Sequence, residues 1–446
     1  MTQGAFVIGN RSLDKWTTAL AAQASDMSNW LFMAYPGMVF IKGGAHVWAA
    51  VGLILIMWVN WKFIAPKIRI ATEKSGSVTL CGFFESKLGS AWPSGRILTA
   101  LFLFIFYTVY VAAILCGVGL LLHALFAVPY ALGVVIGMGL VLPLLFMGGY
   151  STLADVDLFQ GLFLLAVILF VPVFVCSKMG GLPQVVALVS ERGKSMSLFA
   201  GSSHSLLGGL LLMLGWGLGY FGQPHVLTKF MGIRNPSDLK FSMKIGMSWQ
   251  ITSLLAATFV GFVGIAVYEK LSDPQMVFID MVRLYFPPFL SGVFLCAIIA
   301  AIVNAMSSML LVLSTTVSED FFKRFSKKEV SDKQLLFVSR VACVASALIA
   351  VVIAMPNFAS INALVEYAWS GLGATFGPLL IAFLFAPHVS KKSAWLGMFT
   401  GGFIVCIWLF VPLEIPALTV AFPLSLIVLF SMAYRGSETR GETTPS

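Results

Sequence analysis

The chain has 446 residues, of which 59% are apolar and 11% are Asp, Glu, Lys or Arg, less than half the charge a soluble domain carries. A surface so poor in charge does not keep two or three globular domains in solution, so the chain reads as a polytopic membrane protein. The net charge of +9 sits in short loops between apolar runs and on no single face, which argues against nucleic acid as a partner.

The opening stretch, Met1 to Asn10, has neither a basic n-region nor a cleavable apolar core. A helix needs about 20 apolar residues to cross the hydrocarbon core. Twelve segments qualify: roughly 13–40, 45–64, 97–123, 129–150, 156–177, 205–231, 245–267, 288–318, 334–354, 361–385, 393–412 and 415–434. Their continuity excludes the alternating strands of a closed barrel. The stretch 275–287, with Asp280 and Arg283, reads as an external amphipathic helix, and 435–446 as a disordered cytoplasmic tail. The basic loops at 65–96 and 319–333 are expected to hold topology. With a cytoplasmic N-terminus, 22 of the 28 Lys and Arg residues fall inside and six outside. That bias sets orientation, so both termini are expected in the cytoplasm. The six cysteines are scattered singly and read as buried free thiols.

The first run is interrupted by Ala24-Ser25-Asp26-Met27-Ser28-Asn29-Trp30. A carboxylate near mid-span costs on the order of 2.5–3.5 kcal/mol. That cost is tolerable where the backbone unwinds and Asp26 faces a cation or water; a helix cap near the interface is the plainer alternative. The sixth run carries Gly215-Trp216-Gly217-Leu218-Gly219-Tyr220-Phe221-Gly222-Gln223-Pro224-His225. Four glycines and a proline so close together do not make a regular helix. Freed backbone groups are admissible at membrane depth only where they line a cavity, and small-residue helix packing is the alternative. His225 reads as an interfacial or packing residue. If spans one to five repeat inverted as six to ten, the two breaks occupy corresponding positions, the pointer to a secondary-transporter binding site. Carbonyls and Asp26 then hold a cation while half-helix N-termini face an anionic substrate group. No GxxxxGK[ST], HExxH or GxSxG occurs, so neither ATP-driven transport, nor an enzyme, nor a cofactor is expected.

On these residues the chain resembles the sodium:solute symporter family, nearest its proline-transporting branch. The matching stretches are 24–28 (ASDMS), 215–225 (GWGLGYFGQPH), Ser318-Glu319-Asp320 and 367–378 (YAWSGLGATFGP), and the likeness runs from Arg11-Ser12-Leu13 to the last spans. The resemblance implies an all-α, leucine-transporter-like bundle of five plus five inverted helices. That is one transmembrane domain over 1–434, with repeats at about 13–177 and 205–385 and peripheral helices at 393–434. It implies import of proline or a close analogue across a bacterial cytoplasmic (inner) membrane, coupled to sodium by alternating access. The lipid bilayer, proline and sodium are the implied partners.

The resemblance also implies roles. Asp26 is the carboxylate required for sodium, with Ser28 beside it. Ala24 and Met27 give carbonyls to the ion, joined by Ala301 on the eighth span, since hard sodium prefers oxygen ligands. Trp216, Tyr220 and Pro224 line the proline site, where an aromatic wall suits the pyrrolidine ring. Arg11, at the cytoplasmic edge, matches a family arginine tied to sodium-dependent function.

Several positions depart from the pattern. Two hydroxyl residues usual on the eighth span are here Asn304 and Ala305. Either the Asn304 amide, Ser307 or Ser308 stands in, or the coupling ion is a proton taken up at Asp26 or Glu366. A tyrosine near the substrate is Leu144, which loosens the choice of substrate. The loop motif Thr-Leu-Pro-Asp reads Thr79-Leu80-Cys81-Gly82. Glu366 replaces a small polar residue and is either a proton acceptor or an interfacial side chain. The branch usually has one more N-terminal span, whereas this chain starts just before the first core helix. A transport-dead sensor or scaffold is a third reading, against which the short tail speaks.

Overall fold

Helix starts follow the polar residues set between apolar runs. Asp14 caps α1 (Lys15–Ala24), its side chain accepting from the N–H groups of Trp16 and Thr17. Ser331, Ser360 and Ser390 do the same for α15 (Asp332–Ala354), α16 (Ile361–Phe385) and α17 (Lys391–Trp408). Each cap satisfies amide groups that the first helical turn leaves without a partner. The computed structural model describes residues 7–89, 93–147, 150–199, 206–323, 326, 330–386, 389–412 and 415–441.

After α1 the backbone breaks, then resumes through a wide π turn at Trp30–Ala34 into α2 (Tyr35–Lys42). Next come α3 (Val47–Val59), a second π turn at Asn60–Ile64, α4 (Ala65–Ser75) and the short α5 (Leu80–Leu88). The long helices α6 (Pro93–Phe126), α7 (Tyr130–Met147) and α8 (Tyr150–Lys178) follow, then α9 (Leu182–Glu191). The second broken pair is α10 (Leu206–Gly217) and α11 (Pro224–Gly232), which with the turn between them bend by 49°. The chain then runs through α12 (Leu239–Val267), α13 (Val277–Tyr285), α14 (Pro288–Thr315) with a π extension at Thr316–Phe322, α15, α16, α17 and α18 (Leu418–Gly441).

Helix covers each of the twelve expected segments. Among the described residues seven helices are long and apolar enough to cross a membrane, or eight if the bent pair is one span. One of these, Trp30–Ser75, takes in parts of the first two segments, while Tyr130–Pro143 and Leu418–Ser431 are shorter apolar helices. The 275–287 stretch holds the short helix α13. Helix α18 runs from Leu418 through Gly441, with no proline or glycine pair to stop it at the end of the apolar run. Residues 442–446 lie outside the described residues.

Two groups of residues organise the bundle. Large apolar side chains such as Phe159, Phe337 and Val352 stand exposed on its perimeter, as expected of a surface facing lipid. The interior is built around α16, which packs on α6, α17, α18 and the turn joining α10 to α11, and around α12, which packs on α1, α2 and α8. One end of the bundle, the basic face, gathers Arg11, which bonds Met231 O, Thr72 O and Ser77 O, Arg234, whose carbonyl Arg69 holds, and Lys74 and Lys87, which line one surface hollow.

Candidate substrate and ion site

The first break removes two carbonyls from the helix ladder. In a continuous helix the N–H of Ser28 reaches Ala24 O; here it bonds Asp26 O at 3.1 Å. The N–H of Leu31, which would reach Met27 O, bonds Ser28 O instead. The helix ladder therefore bypasses the carbonyls of Ala24 and Met27, both buried residues flanking Asp26 in the sequence. Ser28 Oγ accepts from the Trp30 N–H and holds the turn.

The second break is closed by side chains. Gln223 is extended (φ −94°, ψ 100°) and ends the 3₁₀ turn Leu218–Gly222. Its amide donates to Gly219 O at 3.1 Å and to Trp369 O at 3.2 Å. Asn60, at the start of the second π turn, donates to Tyr220 O at 3.1 Å. The glycines here serve close packing. A Cβ on Gly219 would stand 1.9 Å from Trp369 Nε1, and one on Gly217 would stand 2.6 Å from Gly52 O. Packing and helix interruption are thus the same device at this position.

Both breaks meet at Asp26. The Tyr220 hydroxyl donates to Asp26 Oδ2 at 2.6 Å, the short range of a hydrogen bond to a charged acceptor. Gln250 donates to the same hydroxyl at 3.0 Å. On the other side His225 Nε2 lies 3.6 Å from Asp26 Oδ1. The Tyr107 oxygen accepts the His225 main-chain N–H and pairs with Nδ1, both at 3.1 Å. Tyr220, Gln250 and His225 are all fully buried. Next to Asp26 lies a small pocket walled by Met27, Trp30, Tyr110, Trp216 and Trp369.

This geometry sits inside a recognisable sequence. Residues 6–401 match the profile of the Sodium:solute symporter family. The chain belongs to that family. It is a multi-pass membrane transporter and not an enzyme. Among curated proteins it is 36% identical over 409 residues to the high-affinity proline transporter PutP of Bacillus subtilis, covering 90% of this chain and 86% of that one. It is 32% identical over 413 residues to the sodium/proline symporter of Escherichia coli strain K12, covering 90% and 82%. Among solved structures it resembles a Na+-coupled sialic acid symporter in a substrate-bound outward-open state. The TM-score is 0.83 at 16% identity, over 97% of this chain and 92% of that one. MhsT in complex with L-phenylalanine gives a TM-score of 0.65 at 14% identity, over 95% and 99%. The fold is the leucine-transporter-like bundle of five plus five inverted helices.

In this symporter family member the residues read from the sequence separate into three groups. Asp26, Tyr220 and Trp216 come together at the site, with Ala24, Met27 and Ser28 in the first break. Ala301, Asn304 and Ala305 are buried on α14, which touches α1. Both side-chain atoms of Asn304 lack a hydrogen-bond partner among the described residues, as does Ser308 Oγ. The Ser307 hydroxyl is taken by main-chain carbonyls of its own helix. Pro224 is buried as the first residue of α11 and does not border the pocket. Glu366 is half-buried and does not border it either. The Leu144 side chain lies outside the described residues.

Cross-helix contacts flank this pocket. Above it Trp30 Nε1 donates to Asn362 Oδ1 at 3.3 Å, and the Trp30 and Trp216 rings lie 4.9 Å apart. Further out, the Ile361 N–H donates to Gln275 Oε1 at 2.7 Å, so a residue just ahead of α13 helps cap α16. At the basic face Arg11, its backbone left-handed (φ 58°), donates to Met231 O at 2.8 Å and to Thr72 O and Ser77 O at 3.0 Å each. One guanidinium thus fastens the start of the chain to the end of α11 and to the turn after α4.

Sequence reasoning missed three participants and did not foresee the pairing of a fourth residue. His225, taken as interfacial or packing, touches Asp26, because the bend turns α11 back toward the first break. Tyr107 and Gln250 are single polar residues in apolar runs and carried no signal of their own. Lys229, counted among loop charges, is only 2% exposed. It pairs with Asp157 at 2.9 Å.

Proposed function

We propose that this protein imports proline, or a close analogue, across a bacterial cytoplasmic membrane, driven by sodium, with the basic face cytoplasmic. The observation that carries this reading is the meeting of Asp26 and Met27 with a small aromatic pocket, in a helix break that bypasses the Ala24 and Met27 carbonyls. The pocket suits a compact apolar ring, and its oxygens suit a hard monovalent cation. The naming of the curated relatives as proline transporters and sodium/proline symporters supports the same substrate and ion. Arg11 acts in this scheme as a latch on the cytoplasmic side, which must release before the pocket empties inward.

In the bound state the carboxylate and the two carbonyls surround sodium from α1, while Ala301 O and the Asn304 amide approach from α14. The orphaned Asn304 amide fits such a role, since an unsatisfied buried polar group costs about 1–3 kcal/mol and a cation satisfies its oxygen. Sodium then neutralises Asp26 and draws the two helices together around the substrate. One sodium ion moving inward through 100 mV releases about 2.3 kcal/mol, and a tenfold gradient adds about 1.4 kcal/mol. Their sum supports about 500-fold accumulation at one ion per substrate.

The test is uptake of labelled proline into proteoliposomes, with inward sodium, potassium or proton gradients compared at equal membrane potential. Accumulation with sodium alone is expected. Accumulation that follows pH and ignores sodium overturns the choice of ion, and specific binding without accumulation under any gradient overturns transport.

A further inference from the structure

A cavity runs from His225 toward the basic face, along one side of α14 and its π extension. Its wall includes His225 and Lys229 on α11, Ser308, Thr316 and Asp320 on α14 and beyond, and Thr79 in the turn before α5. His225 also touches Asp26, so the cavity begins where the central site ends.

Asp320 is the unexplained group in this cavity. It is 2% exposed. One oxygen, Oδ1, accepts from the Thr79 hydroxyl at 3.1 Å. The other, Oδ2, has no hydrogen-bond partner among the described residues. Two positive groups stand nearby, and neither makes a hydrogen bond to Oδ2. Arg96 donates to the main-chain carbonyl of Asp320 at 3.2 Å and pairs with Glu85. Lys229 is held by Asp157. A buried carboxylate oxygen without a partner is costly unless something positive meets it.

The rest of the wall supplies oxygen. The Thr316 hydroxyl donates to Val312 O at 2.9 Å, so its own lone pairs stay available. Thr315 does the same, and it lines the cavity as well. The π turn at Thr316–Phe322 is the kind of helix irregularity that recurs at functional sites. One negative charge with neutral oxygen donors is a set for a hard monovalent cation.

We propose that Asp320, with Thr79 and Thr316, forms a second monovalent-cation site between the Asp26 site and the basic face. There the coupling ion pauses after it leaves Asp26. The proposal rests on the sodium-coupled reading for its choice of probe and for the direction of travel.

The experiment is thermal unfolding of the full-length protein in detergent, with sodium chloride compared with choline chloride at equal ionic strength. Asp26→Asn removes the carboxylate of the central site. In that variant sodium is expected still to raise Tm, by on the order of 1–2 °C at concentrations well above the dissociation constant. Adding Asp320→Asn, which keeps an acceptor for Thr79, is expected to abolish the shift. If that double variant does not fold, Asp26→Asn with Thr316→Val takes its place, and the sodium concentration for half the shift is expected to rise at least threefold. No sodium shift in Asp26→Asn overturns the proposal, and so does a shift that survives both second substitutions. Potassium giving the same shift keeps the site and makes it unselective. Failure of the transport reading shows separately, as absence of sodium-driven proline uptake by the unaltered protein.

Discussion

The two broken helices use opposite solutions to one problem. Each interrupts a membrane helix near its middle, and each must account for the carbonyls it releases. At the second break the released oxygens of Gly219 and Tyr220 are taken by Gln223 and Asn60. At the first, the helix ladder bypasses Ala24 O and Met27 O, and a carboxylate stands between them. The second break is a finished elbow that aims Tyr220 and His225. The first is an unfinished one, and its leftover oxygens are what the proposed ion site uses.

Substitutions at the two breaks sharpen or destroy this contrast. The largest effect is expected for Asp26→Asn, which removes the charge that makes the first break attractive to a cation. Sodium-driven uptake should fall to background in proteoliposomes, and near-normal uptake at low sodium would refute the assignment. Tyr220→Phe deletes a hydrogen bond to a charged group, worth about 1.5–3 kcal/mol. A loss of roughly 10- to 100-fold in sodium-driven kcat/KM is expected, with the fold retained. Asn60→Ala strips the Tyr220 carbonyl of its partner, at about 1–3 kcal/mol. Its signature should be a lower Tm with little change in the sodium concentration for half-maximal uptake; a large change in that concentration would show that the elbow also tunes the ion site. The smallest effect is expected for Ala305→Ser, which restores a hydroxyl on α14. One added oxygen contact of about 1 kcal/mol should lower the half-maximal sodium concentration about fivefold.

Both breaks were legible because they violate a strong rule: a carboxylate, or a run of glycines ending in proline, does not belong in an apolar helix. The helices themselves followed from long apolar stretches bounded by Asp, Ser and Gly. What links the breaks was not legible. Tyr107 and Gln250 sit singly among apolar residues, and the spacing that joins them to Tyr220 and His225 exists only across helices distant in sequence. Trp369 was visible only as part of a matching stretch, although its indole fixes Gly219 and donates to Trp216 O at 2.7 Å. Charge counting does not separate Lys229, buried against Asp157, from a solvated lysine at a helix end. Pro224 shows the converse. It looked like a wall of the pocket, yet its ring is spent on starting α11.

The Lys229–Asp157 pair has a mechanical meaning. It joins α11, the second half of a broken helix, to α8, and it is buried on both sides. Pulling such charges apart in a dry interior costs about 3–5 kcal/mol, comparable to everything one sodium ion delivers at ordinary gradients. A transporter driven by that ion cannot spend the whole stroke on one bond. The pair therefore ties the fifth span to α11, the segment that follows the break at Gln223.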